Sequence, residues 1–375
     1  MESSVWTVCR INQCNGYQDS LFVYNTVKDD ARCINCGQCK KVCLNVNVIK
    51  KQSPIEWKQG WADSNIISNS SFRSAAVIIK SFIESGGYVP ASLFKNGEFV
   101  YEITNDLEHA KRFDGLKYVK SNPVGKYKKV QKRLNTDKVL FIDLPCQVAS
   151  LKNYMRNQER LYTIDLICHR TSLPKVLDEF WTEKKINIKT LKDIKFTTKN
   201  VFGLSDCGEY ITSEGIDDYM MTFSDPMTYI DNCYECQVAK FNRVAELTLG
   251  NFWGTEYRDE EKNGVPLILI QTEKDHKLVN SSNLTIFDVD IENAKVQNHH
   301  QLQHPFIKTP ERQVFLQGIV ERKRFWYMTF KLYKKRINKR YIKKDLDIIS
   351  WGDERYIVKN DCSFFEFIPS CGGVC

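Results

Sequence analysis

Residues 138–152 have the sequence KVLFIDLPCQVASLK, and residues 161–170 have the sequence LYTIDLICHR. In each stretch an apolar, β-branched run leads within a few residues to a cysteine, Cys146 in the first and Cys168 in the second. Such runs predict buried strands, so each cysteine is expected at the carboxyl end of a strand. Open α/β sheets bind their ligands at that edge. The alternative for either cysteine is a buried structural thiol.

Helices and further strands are predicted on both sides of these two stretches. Apolar residues at helical spacing predict helices at Ser74–Ile83, Lys126–Leu134, Leu151–Met155 and Leu173–Trp181. Further strands are predicted at Tyr88–Phe94, Glu98–Ile103, Glu246–Leu249 and Pro266–Gln271. This alternation predicts an α/β (α+β) fold with a mixed, partly parallel sheet.

The composition is that of a globular protein. Its 375 residues include 54 Lys plus Arg against 46 Asp plus Glu, a formal net charge of +8, and 42% of them are hydrophobic. The longest apolar run, Val265–Ile270, is far shorter than the roughly 20 residues that span a bilayer. The opening residues, MESSVWTVCRINQCNGYQDS, lack the apolar segment of a secretory signal. We therefore expect no transmembrane helix and a cytoplasmic protein.

Residues 322–344 concentrate the positive charge, with eleven Lys or Arg and no acidic residue. Apolar side chains recur there at near-helical intervals, at Phe325, Met328, Leu332, Ile337 and Tyr341. This pattern predicts a basic amphipathic helix. Such a helix is a solvated surface element, a peripheral contact with an anionic membrane surface, or a docking site for an acidic electron-transfer partner. Nucleic-acid binding is the weakest alternative, because it depends on this stretch alone.

The chain has 14 cysteines. In a reducing compartment they are not expected to form a disulfide framework, so their spacing indicates metal or redox chemistry. One C-x2-C-x2-C-x3-C run is formed by Cys33, Cys36, Cys39 and Cys43. This spacing is typical of a 4Fe–4S cluster, whereas zinc sites usually place their second pair much further along the chain. Gly37 inside the run lets the backbone turn close to such a cluster.

The run departs from the bacterial ferredoxin pattern in two ways. Leu44 follows Cys43 where Pro is usual, and the second run of a two-cluster ferredoxin is missing. Only Cys9 and Cys14 lie upstream. Either Cys43 closes a single cluster, or Cys9 or Cys14 completes it and Cys43 helps to hold a second one. The sequence therefore predicts one or two 4Fe–4S clusters.

The other cysteines are dispersed along the chain. Cys233 and Cys236 form a C-x2-C pair, and with Cys146 and Cys168 they make a set whose spacing alone is a weak indication of shared ligation. The chain ends in DCSFFEFIPSCGGVC, which contains Cys362, Cys371 and Cys375. This tail is interpreted as a source of a cluster ligand, as a redox disulfide, as a segment on which the protein itself acts, or as inert.

Taken in order, several blocks resemble the coenzyme F420 hydrogenase/dehydrogenase beta-subunit family over most of residues 33–325. SFIESGGYVPASLF resembles the family's GG-V-x-G-A stretch, FDGLKYVKS its S-K-Y-x-x-S block, and KVLFIDLPCQVASLK its VLF-G-T-P-C-Q-x-A-x-L segment. LYTIDLICHR resembles D-x-x-C-H-G, and DNCYECQVAKFNRVAELTLGNFWG resembles C-Y-x-C followed by G-D-F-W-G. The resemblance implies a small N-terminal ferredoxin-like iron–sulfur module followed by a mixed-sheet flavin/iron–sulfur catalytic domain.

This resemblance implies a division of the chain and a set of site residues. The division is a ferredoxin-like 4Fe–4S module at 1–55, the family domain at 56–320, the basic helix at 321–350 and the cysteine-bearing tail at 351–375. The implied ligands of a cluster near the flavin are Cys146, Cys168, Cys233 and Cys236. The implied flavin is FAD, and the residues implied to bind it are Ser70, Lys117, Ser121 and Asn251. His169, beside an implied ligand, is the candidate proton donor.

Several positions depart from the family pattern. The family's S-S-S-G-G turn corresponds to Ser68–Phe72, which has no glycine, so the backbone approach to a flavin is expected to be narrower or reshaped. In the blocks G-T-P-C, C-H-G and G-D-F-W-G, the chain has Asp143, Arg170 and Asn251 where the family has Gly, Gly and Asp. The added cations Arg73 and Arg170 are interpreted as groups that recognise an anionic substrate or as surface charges.

The resemblance therefore implies an iron–sulfur flavoprotein oxidoreductase. It would exchange electrons between ferredoxin or reduced coenzyme F420 and a substrate that the sequence does not identify, for which the added cations suggest an anionic group. The alternative is an electron-transfer or docking subunit that keeps its clusters and lacks flavin. A zinc-stabilised interaction protein is a third hypothesis, and an oligomeric assembly is compatible with each of them.

Overall fold

The computed structural model describes most of the chain. The described residues are 14–28, 30–31, 33–44, 46–47, 50–62, 73–122, 125–197, 199–206, 208–211, 216–257, 265–297, 302–341, 357–359 and 364–366. Some of the residues discussed above lie outside these ranges, namely Cys9, Ser70, Cys362, Cys371 and Cys375.

Fifteen strands are found in the described ranges. In chain order they are β1 (Cys14–Gln18), β2 (Tyr24–Lys28), β3 (Glu56–Ala62), β4 (Val89–Lys95), β5 (Glu98–Thr104), β6 (Val139–Asp143), β7 (Leu161–Leu166), β8 (Asp193–Phe196), β9 (Val201–Ser205), β10 (Gly208–Ile211), β11 (Leu247–Asn251), β12 (Pro266–Ile270), β13 (Leu284–Asp288), β14 (Ile357–Lys359) and β15 (Phe364–Glu366).

Helices alternate with these strands. In chain order they are α1 (Gln38–Val42), α2 (Arg73–Glu84), α3 (Leu107–Ala110), α4 (Lys126–Leu134), α5 (Pro145–Tyr154), α6 (Pro174–Glu183), α7 (Asp218–Ser224), α8 (Glu273–Asn280), α9 (Ile291–Gln297), α10 (Pro310–Val320) and α11 (Phe325–Tyr341). Short 3-10 turns lie at Lys111–Phe113, Ile188–Thr190 and Asp231–Cys233.

The largest sheet has six strands in the order β13-β3-β12-β11-β7-β6. Strands β6, β7 and β11 run parallel to one another, whereas β12, β3 and β13 are each antiparallel to their neighbours. The β4–β5 hairpin approaches the β6 edge through a bridge between Tyr88 and Val139. This mixed sheet confirms the predicted α/β class. The ferredoxin-like module and the flavin domain stay predictions.

Apolar side chains cover both faces of this sheet. Successive residues of a strand point to opposite faces. Along β7, Leu161 packs in a cluster with residues of α4 and α5, and Ile164 packs in a separate cluster with residues of α2. Strand β12 is buried at every position, as expected for a central strand. The helices therefore enclose β6 and β7, the strands that precede Cys146 and Cys168.

Each helix and strand predicted from periodicity is present, with ends shifted by a few residues. The sequence pattern does not predict strand β3, although it lies between β12 and β13. Its sequence, EWKQGWA, carries a polar residue, Gln59, that is fully buried. The Gln59 side chain accepts a hydrogen bond from Thr255 at 2.7 Å and donates one to Glu256 at 2.8 Å. Because one of its buried positions is a hydrogen-bonded amide, the sequence of β3 lacks the alternation of apolar and polar residues that predicts a strand.

A second, antiparallel sheet has the order β15-β14-β10-β9-β8. Beside it, aromatic side chains of α6, α7, α10 and α11 share one cluster that contains Phe180, Tyr219, Phe315 and Phe325. Helix α11 lies within the predicted basic helix, and its residues Phe325 and Met328 are buried in this core. Within the described ranges, no helix combines the length and apolar character needed to cross a membrane.

A buried ion pair joins the main sheet to the loop that precedes β11. Asp165 of β7 accepts hydrogen bonds from Nε and Nη2 of Arg243, at 3.1 and 2.7 Å. The side chains of Asp165 and Arg243 are 0% and 1% exposed. The same carboxylate accepts from the Thr248 hydroxyl at 2.7 Å and from the backbone N–H groups of Val244 and Ala245 at 3.4 and 3.3 Å. The chain after the C-x2-C pair is thereby fixed to β7.

We expect Asp165→Asn to lower the free energy of unfolding by about 3–5 kcal/mol, because it leaves the buried guanidinium of Arg243 without its counter-charge. Urea denaturation of the purified protein measures this loss. The control is Asp288→Asn, which removes an exposed partner of Lys58 and should cost about 1 kcal/mol or less. Equal losses in the two variants would contradict the prediction.

The buried carboxyl of Asp275 should make the free energy of unfolding depend on pH. It is fully buried in the first turn of α8, and its Oδ1 has no hydrogen-bond partner among the described residues. Burial, assisted by the charge of Glu246, raises the pKa of this carboxyl from 3.8 to about 7 despite a hydrogen bond from Thr272. The folded state therefore holds the proton more tightly than the unfolded state does.

The free energy of unfolding should consequently fall as the pH rises from about 4 to about 7, with a contribution from Asp275 of at most about 1.4 kcal/mol per pH unit. Asp275→Asn should flatten this part of the profile, because the amide does not ionise. The matched control is Glu273→Gln at an exposed position of the same turn, which should keep the original slope. Denaturation midpoints measured across this pH range test the prediction, and an unchanged slope in Asp275→Asn would refute it.

Candidate functional site

The structure places Cys146 and Cys168 beyond the carboxyl ends of two neighbouring parallel strands. β6 ends at Asp143, and Cys146 is the second residue of the helix α5 that follows. Pro145 opens this helix at a position where its missing N–H costs no hydrogen bond. Cys168 comes two residues after β7. The prediction that both cysteines follow strands is confirmed.

Cys233 and Cys236 are carried to this edge by a tightly held loop. The backbone N–H of Ile230 donates to the carbonyl of Thr171 at 3.1 Å, which ties the loop to the segment after Cys168. The Tyr234 hydroxyl donates to the carbonyl of Pro226 at 2.6 Å. After the C-x2-C pair, Arg243 binds Asp165 of β7, as described above. Both ends of the loop are therefore anchored near Cys168.

The four thiols lie close enough to influence one another's ionisation. Burial raises the pKa of Cys168 to about 12, and the charges of Cys146 and Cys236 raise it as well. Burial also raises the pKa of Cys233, and the charges of Cys168, Cys236 and Cys146 add to that effect. Burial and the charge of Cys236 raise the pKa of the Cys146 thiol. Charge interactions thus link all four thiols, and we call them the dispersed thiol set.

Cationic groups partly offset this mutual repulsion. Lys120 and Lys126 lower the pKa of Cys146, and Arg170 lowers that of Cys168. The Lys126 ammonium is buried, lies 3.0 Å from a carboxylate oxygen of Asp143, and sits 4.0 Å from the ring centre of Tyr101. Burial lowers the pKa of Lys126 to about 8, against the opposing charge of Asp143. These cations offset only part of the effect of burial, so the pKa values of Cys146 and Cys168 remain raised.

The dispersed thiol set has the number and type of donors that a 4Fe–4S cluster takes, which is four cysteine thiols. Among the described residues, no three His, Cys, Asp or Glu side chains are arranged to hold one metal ion. A cubane cluster has an iron at each of four corners, so its four thiolates stand further apart than the ligands of one ion.

The N-terminal run lies mostly at the surface. Cys36 is exposed, Cys33 and Cys39 are half-buried, and Cys43 is buried. The backbone N–H of Asn35 lies 3.4 Å from Sγ of Cys33. Gly37 has a φ of 70°, and a Cβ built there would meet no atom within 4 Å. The glycine is therefore explained by the left-handed turn that precedes α1 rather than by a steric limit within the protein.

One apolar cluster connects the two sets of cysteines. Val42, at the end of α1, is fully buried in the cluster formed by α4, α5 and the edge of the main sheet. Leu44, Cys146 and Cys236 pack against the same cluster. The N-terminal run is thus docked on the helix that carries Cys146.

The candidate proton donor His169 lies among aromatic rings. Its ring centre is 5.4 Å from those of Phe223 and Phe306, and its Nε2 is 3.3 Å from the hydroxyl of Tyr229. That hydroxyl donates its proton to the carbonyl of Phe223 at 2.7 Å. The Tyr229 oxygen is therefore an acceptor toward His169, which places the proton of the neutral imidazole on Nε2.

Lys117, one of the residues implied to bind FAD, binds the protein's own backbone. The Lys117 ammonium donates to the carbonyls of Phe113, Asp114 and Gly115 at 2.5, 2.6 and 2.9 Å. These three carbonyls match the three donors of an ammonium group. Burial lowers the pKa of Lys117 to about 8. Its donors stabilise the backbone after a short 3-10 turn.

The other implied flavin residues each have surroundings of their own. The Ser121 hydroxyl shares a 2.9 Å hydrogen bond with that of Ser92 on β4. Asn251 is half-buried at the end of β11. Ser70 lies outside the described residues. Their role toward a flavin therefore stays a prediction.

A basic cleft of about 540 Å³ lies beside the turn of the β4–β5 hairpin. None of the predicted site residues lines it. Its charged lining residues are Lys95, Arg112, Lys189, Lys192 and Asp193.

Residues 136–289 match a family model that describes the C terminus of the coenzyme F420 hydrogenase/dehydrogenase beta subunit. This segment of the chain is similar to that family. The resemblance found in the sequence motifs is confirmed for these residues, which include β6, β7, β11 and all four members of the dispersed thiol set.

The chain is also similar to a solved structure of the F420-reducing NiFe hydrogenase complex from Methanosarcina barkeri, obtained by xenon derivatisation. The sequence identity is 11% and the TM-score is 0.47. The match covers 80% of this chain and 97% of the other. No curated protein matches the chain.

The structure explains one glycine of the beta-subunit family segment. A Cβ built on Gly250 of β11 would lie 2.5 Å from Cβ of Ile167, the residue before Cys168. Real side chains do not approach so closely, so only glycine lets β11 pack against the chain that leads to this cysteine. Two residues after Asn251, the indole of Trp253 is 51% exposed at the same end of the strand.

Sequence reasoning missed the groups that hold this family segment together. Asp165 and Arg243 form the buried pair, and Lys126 with Asp143 forms another beside Cys146. A usable signal was present, because Asp165 interrupts the apolar run LYTIDLI. A buried carboxylate in a central strand requires a partner. The position of that partner, 78 residues away, could not be read from the sequence.

We expect Lys117→Met to lower the free energy of unfolding by about 1–3 kcal/mol, because it leaves the carbonyls of Phe113, Asp114 and Gly115 without their donor. Denaturant unfolding measures the change. The control is Lys111→Met in the same segment, where the ammonium is 70% exposed, and its effect should stay within about 0.5 kcal/mol. A Lys117→Met protein as stable as the control would contradict a structural role for this ammonium.

Proposed function

We propose that this protein is an iron–sulfur oxidoreductase of the hydrogenase/dehydrogenase beta-subunit type, which passes electrons between a one-electron carrier or a reduced deazaflavin and a substrate. Its proposed cofactors are two 4Fe–4S clusters and FAD. The observation that carries the proposal is the convergence of the dispersed thiol set at the carboxyl edge of parallel strands, inside the family segment. Coupled thiols with cations beside them suit a cluster ligated by thiolates.

In this proposal each set of cysteines holds one cluster. The dispersed thiol set holds one, and Cys33, Cys36, Cys39 and Cys43 hold the other. A 4Fe–4S cluster exchanges single electrons, and a flavin exchanges electrons singly or in pairs, which is the chemistry these groups supply when bound. The chain itself contributes the apolar cluster that contains Val42 and Leu44, and its packing keeps water from the region between the two sets.

The proposed role of His169 is proton transfer near the dispersed thiol set. The Tyr229 hydroxyl orients the imidazole and fixes its neutral tautomer, as derived above. Phe223 and Phe306 hold the ring from two further directions. In that tautomer Nδ1 is the ring nitrogen that can accept a proton.

The proposed partners follow from the charge distribution and the family name. Ferredoxin and reduced coenzyme F420 are the proposed electron carriers, in a reducing compartment such as the cytoplasm. Of the alternatives for the basic stretch, an acidic redox partner is favoured over insertion into a membrane surface. Phe325, Met328 and Tyr333 of α11 are used in the protein's own core, so they are not offered to a bilayer.

A second candidate is an electron-transfer subunit that holds clusters without a flavin. One observation favours it. The ammonium of Lys117, the residue implied to bind the FAD pyrophosphate, is engaged by Phe113, Asp114 and Gly115. Binding a pyrophosphate there would require those hydrogen bonds to be exchanged.

Anaerobic purification, with iron, acid-labile sulfide, zinc and released flavin measured per chain, tests the proposal. About eight irons with one FAD would support the two-cluster flavoprotein. About eight irons without flavin would replace it with the cluster-only subunit. Zinc in place of iron would refute both.

Single substitutions separate the two proposed clusters. We expect Cys168→Ser and Cys36→Ser each to lower the iron content from about eight to about four per chain, because each removes a ligand of a different cluster. The matched control is Cys14→Ser, which should keep the full content if the C-x2-C-x2-C-x3-C run is complete in itself. Loss of iron in Cys14→Ser, or no loss in Cys168→Ser, would show that the ligands are assigned wrongly.

A further inference from the structure

Arg170 has a backbone conformation that side chains rarely adopt. Its φ is 108°, well inside the region that favours glycine. The family's C-H-G motif has glycine at this position, whereas this chain places a long cationic side chain on a backbone conformation that favours glycine. Such strain costs about 1–3 kcal/mol and persists only where other interactions over-determine it.

The side chain of Arg170 is buried rather than placed at the surface. The residue is 4% exposed, so the interpretation of Arg170 as a surface charge is wrong. Its Nη1 donates to the carbonyl of Cys168 at 2.8 Å, and its Nη2 donates to the carbonyl of His304 at 3.0 Å. The guanidinium lies 5.4 Å from the ring centre of Phe306. Its backbone N–H points at the sulfur of Cys168, at 3.3 Å.

The guanidinium of Arg170 lacks a carboxylate partner within the described structure. Its Nε is buried without a hydrogen-bond partner there. A buried guanidinium without a counter-charge is costly, and the acidic groups on which this one acts are the Cys168 thiol and the Tyr229 hydroxyl. Tyrosine at neutral pH is uncharged, and burial raises the pKa of Tyr229 further. A cluster ligated by thiolates, including that of Cys168, would supply the negative charge that the guanidinium faces.

We propose that Arg170 is a positioning residue that holds a positive charge and a backbone N–H against Cys168, and thereby raises the reduction potential of a cluster on the dispersed thiol set. The inference rests on the proposed function, since it requires a cluster at that set. Four thiolates around a 4Fe–4S core leave a net negative charge, which grows when an electron is added. A fixed cation and a hydrogen bond to a ligand sulfur both stabilise the reduced state.

The test compares Arg170→Gln, Arg170→Gly and Arg170→Lys with the wild-type protein, each purified anaerobically. Iron and sulfide are measured first, and the cluster midpoints are then determined by redox titration monitored by electron paramagnetic resonance. We expect Arg170→Gln and Arg170→Gly to lower the reduced-to-oxidised ratio of one cluster about tenfold at a fixed potential, which is about 59 mV for one electron. Arg170→Lys, which keeps the charge, should lower it less.

Two controls separate charge from backbone effects. Arg322 also has a positive φ, 55°, but it is exposed and lies between α10 and α11, so Arg322→Gly should change neither midpoint. The cluster on the N-terminal run serves as an internal reference, and its midpoint should be the same in every variant. Glycine at 170 relieves the strained φ and glutamine does not, so a common shift in both variants identifies the charge as its cause.

Each outcome decides the inference. Full iron content with both midpoints unchanged in Arg170→Gln overturns it. If Arg170→Gln loses four irons while Arg170→Lys keeps them, the positive charge is required to hold the cluster, which supports the inference. If Arg170→Lys loses them equally, the role is packing and the inference fails. A wild-type protein without iron would instead refute the proposed function itself.

Discussion

The buried contact between Asp165 and Arg243 is the constraint on which the rest of the site depends. The four thiols come from three separate parts of the chain, and sheet pairing aligns only Cys146 with Cys168. The loop that carries Cys233 and Cys236 belongs to no strand pair, and its return to the sheet is fixed by the guanidinium and by the backbone N–H groups that share the same carboxylate. Without that anchor, the loop would be tied near Cys168 at its other end alone, through the hydrogen bond from Ile230 to Thr171.

The thiols are assembled in conditions that oppose their ionisation. Burial raises the pKa of Cys146, Cys168 and Cys233, and the charges of the other members of the set raise it further. Metal ligation requires thiolates, so loading such a site releases protons. Lys120, Lys126 and Arg170 supply positive charge beside it. The environment therefore favours neutral thiols, and the proposed cluster would have to displace their protons as it binds.

The sequence predicted the parts of this site that depend on local pattern. The runs before Cys146 and Cys168 form strands because their apolar residues are buried, and the parallel pairing of β6 with β7 places both cysteines at one edge. It could not predict β3, whose buried Gln59 breaks the apolar pattern, or the pairing of Asp165 with Arg243, which depends on tertiary contact. The sequence also could not predict that Arg170 is buried beside Cys168. A residue that replaces glycine gives no sign in the sequence that its backbone keeps a glycine conformation.

The position of β3 has a consequence for how the chain acquires its fold during synthesis. This strand comes early in the chain, yet its hydrogen-bonding neighbours are β12 and β13, more than 200 residues later. Until the ribosome has released residues 266–288, both edges of β3 lack their partners, and contacts of such long sequence separation form slowly. Unpaired strand edges are prone to association with other chains. The N-terminal cysteine run therefore leaves the ribosome long before the sheet whose helices it packs against can close.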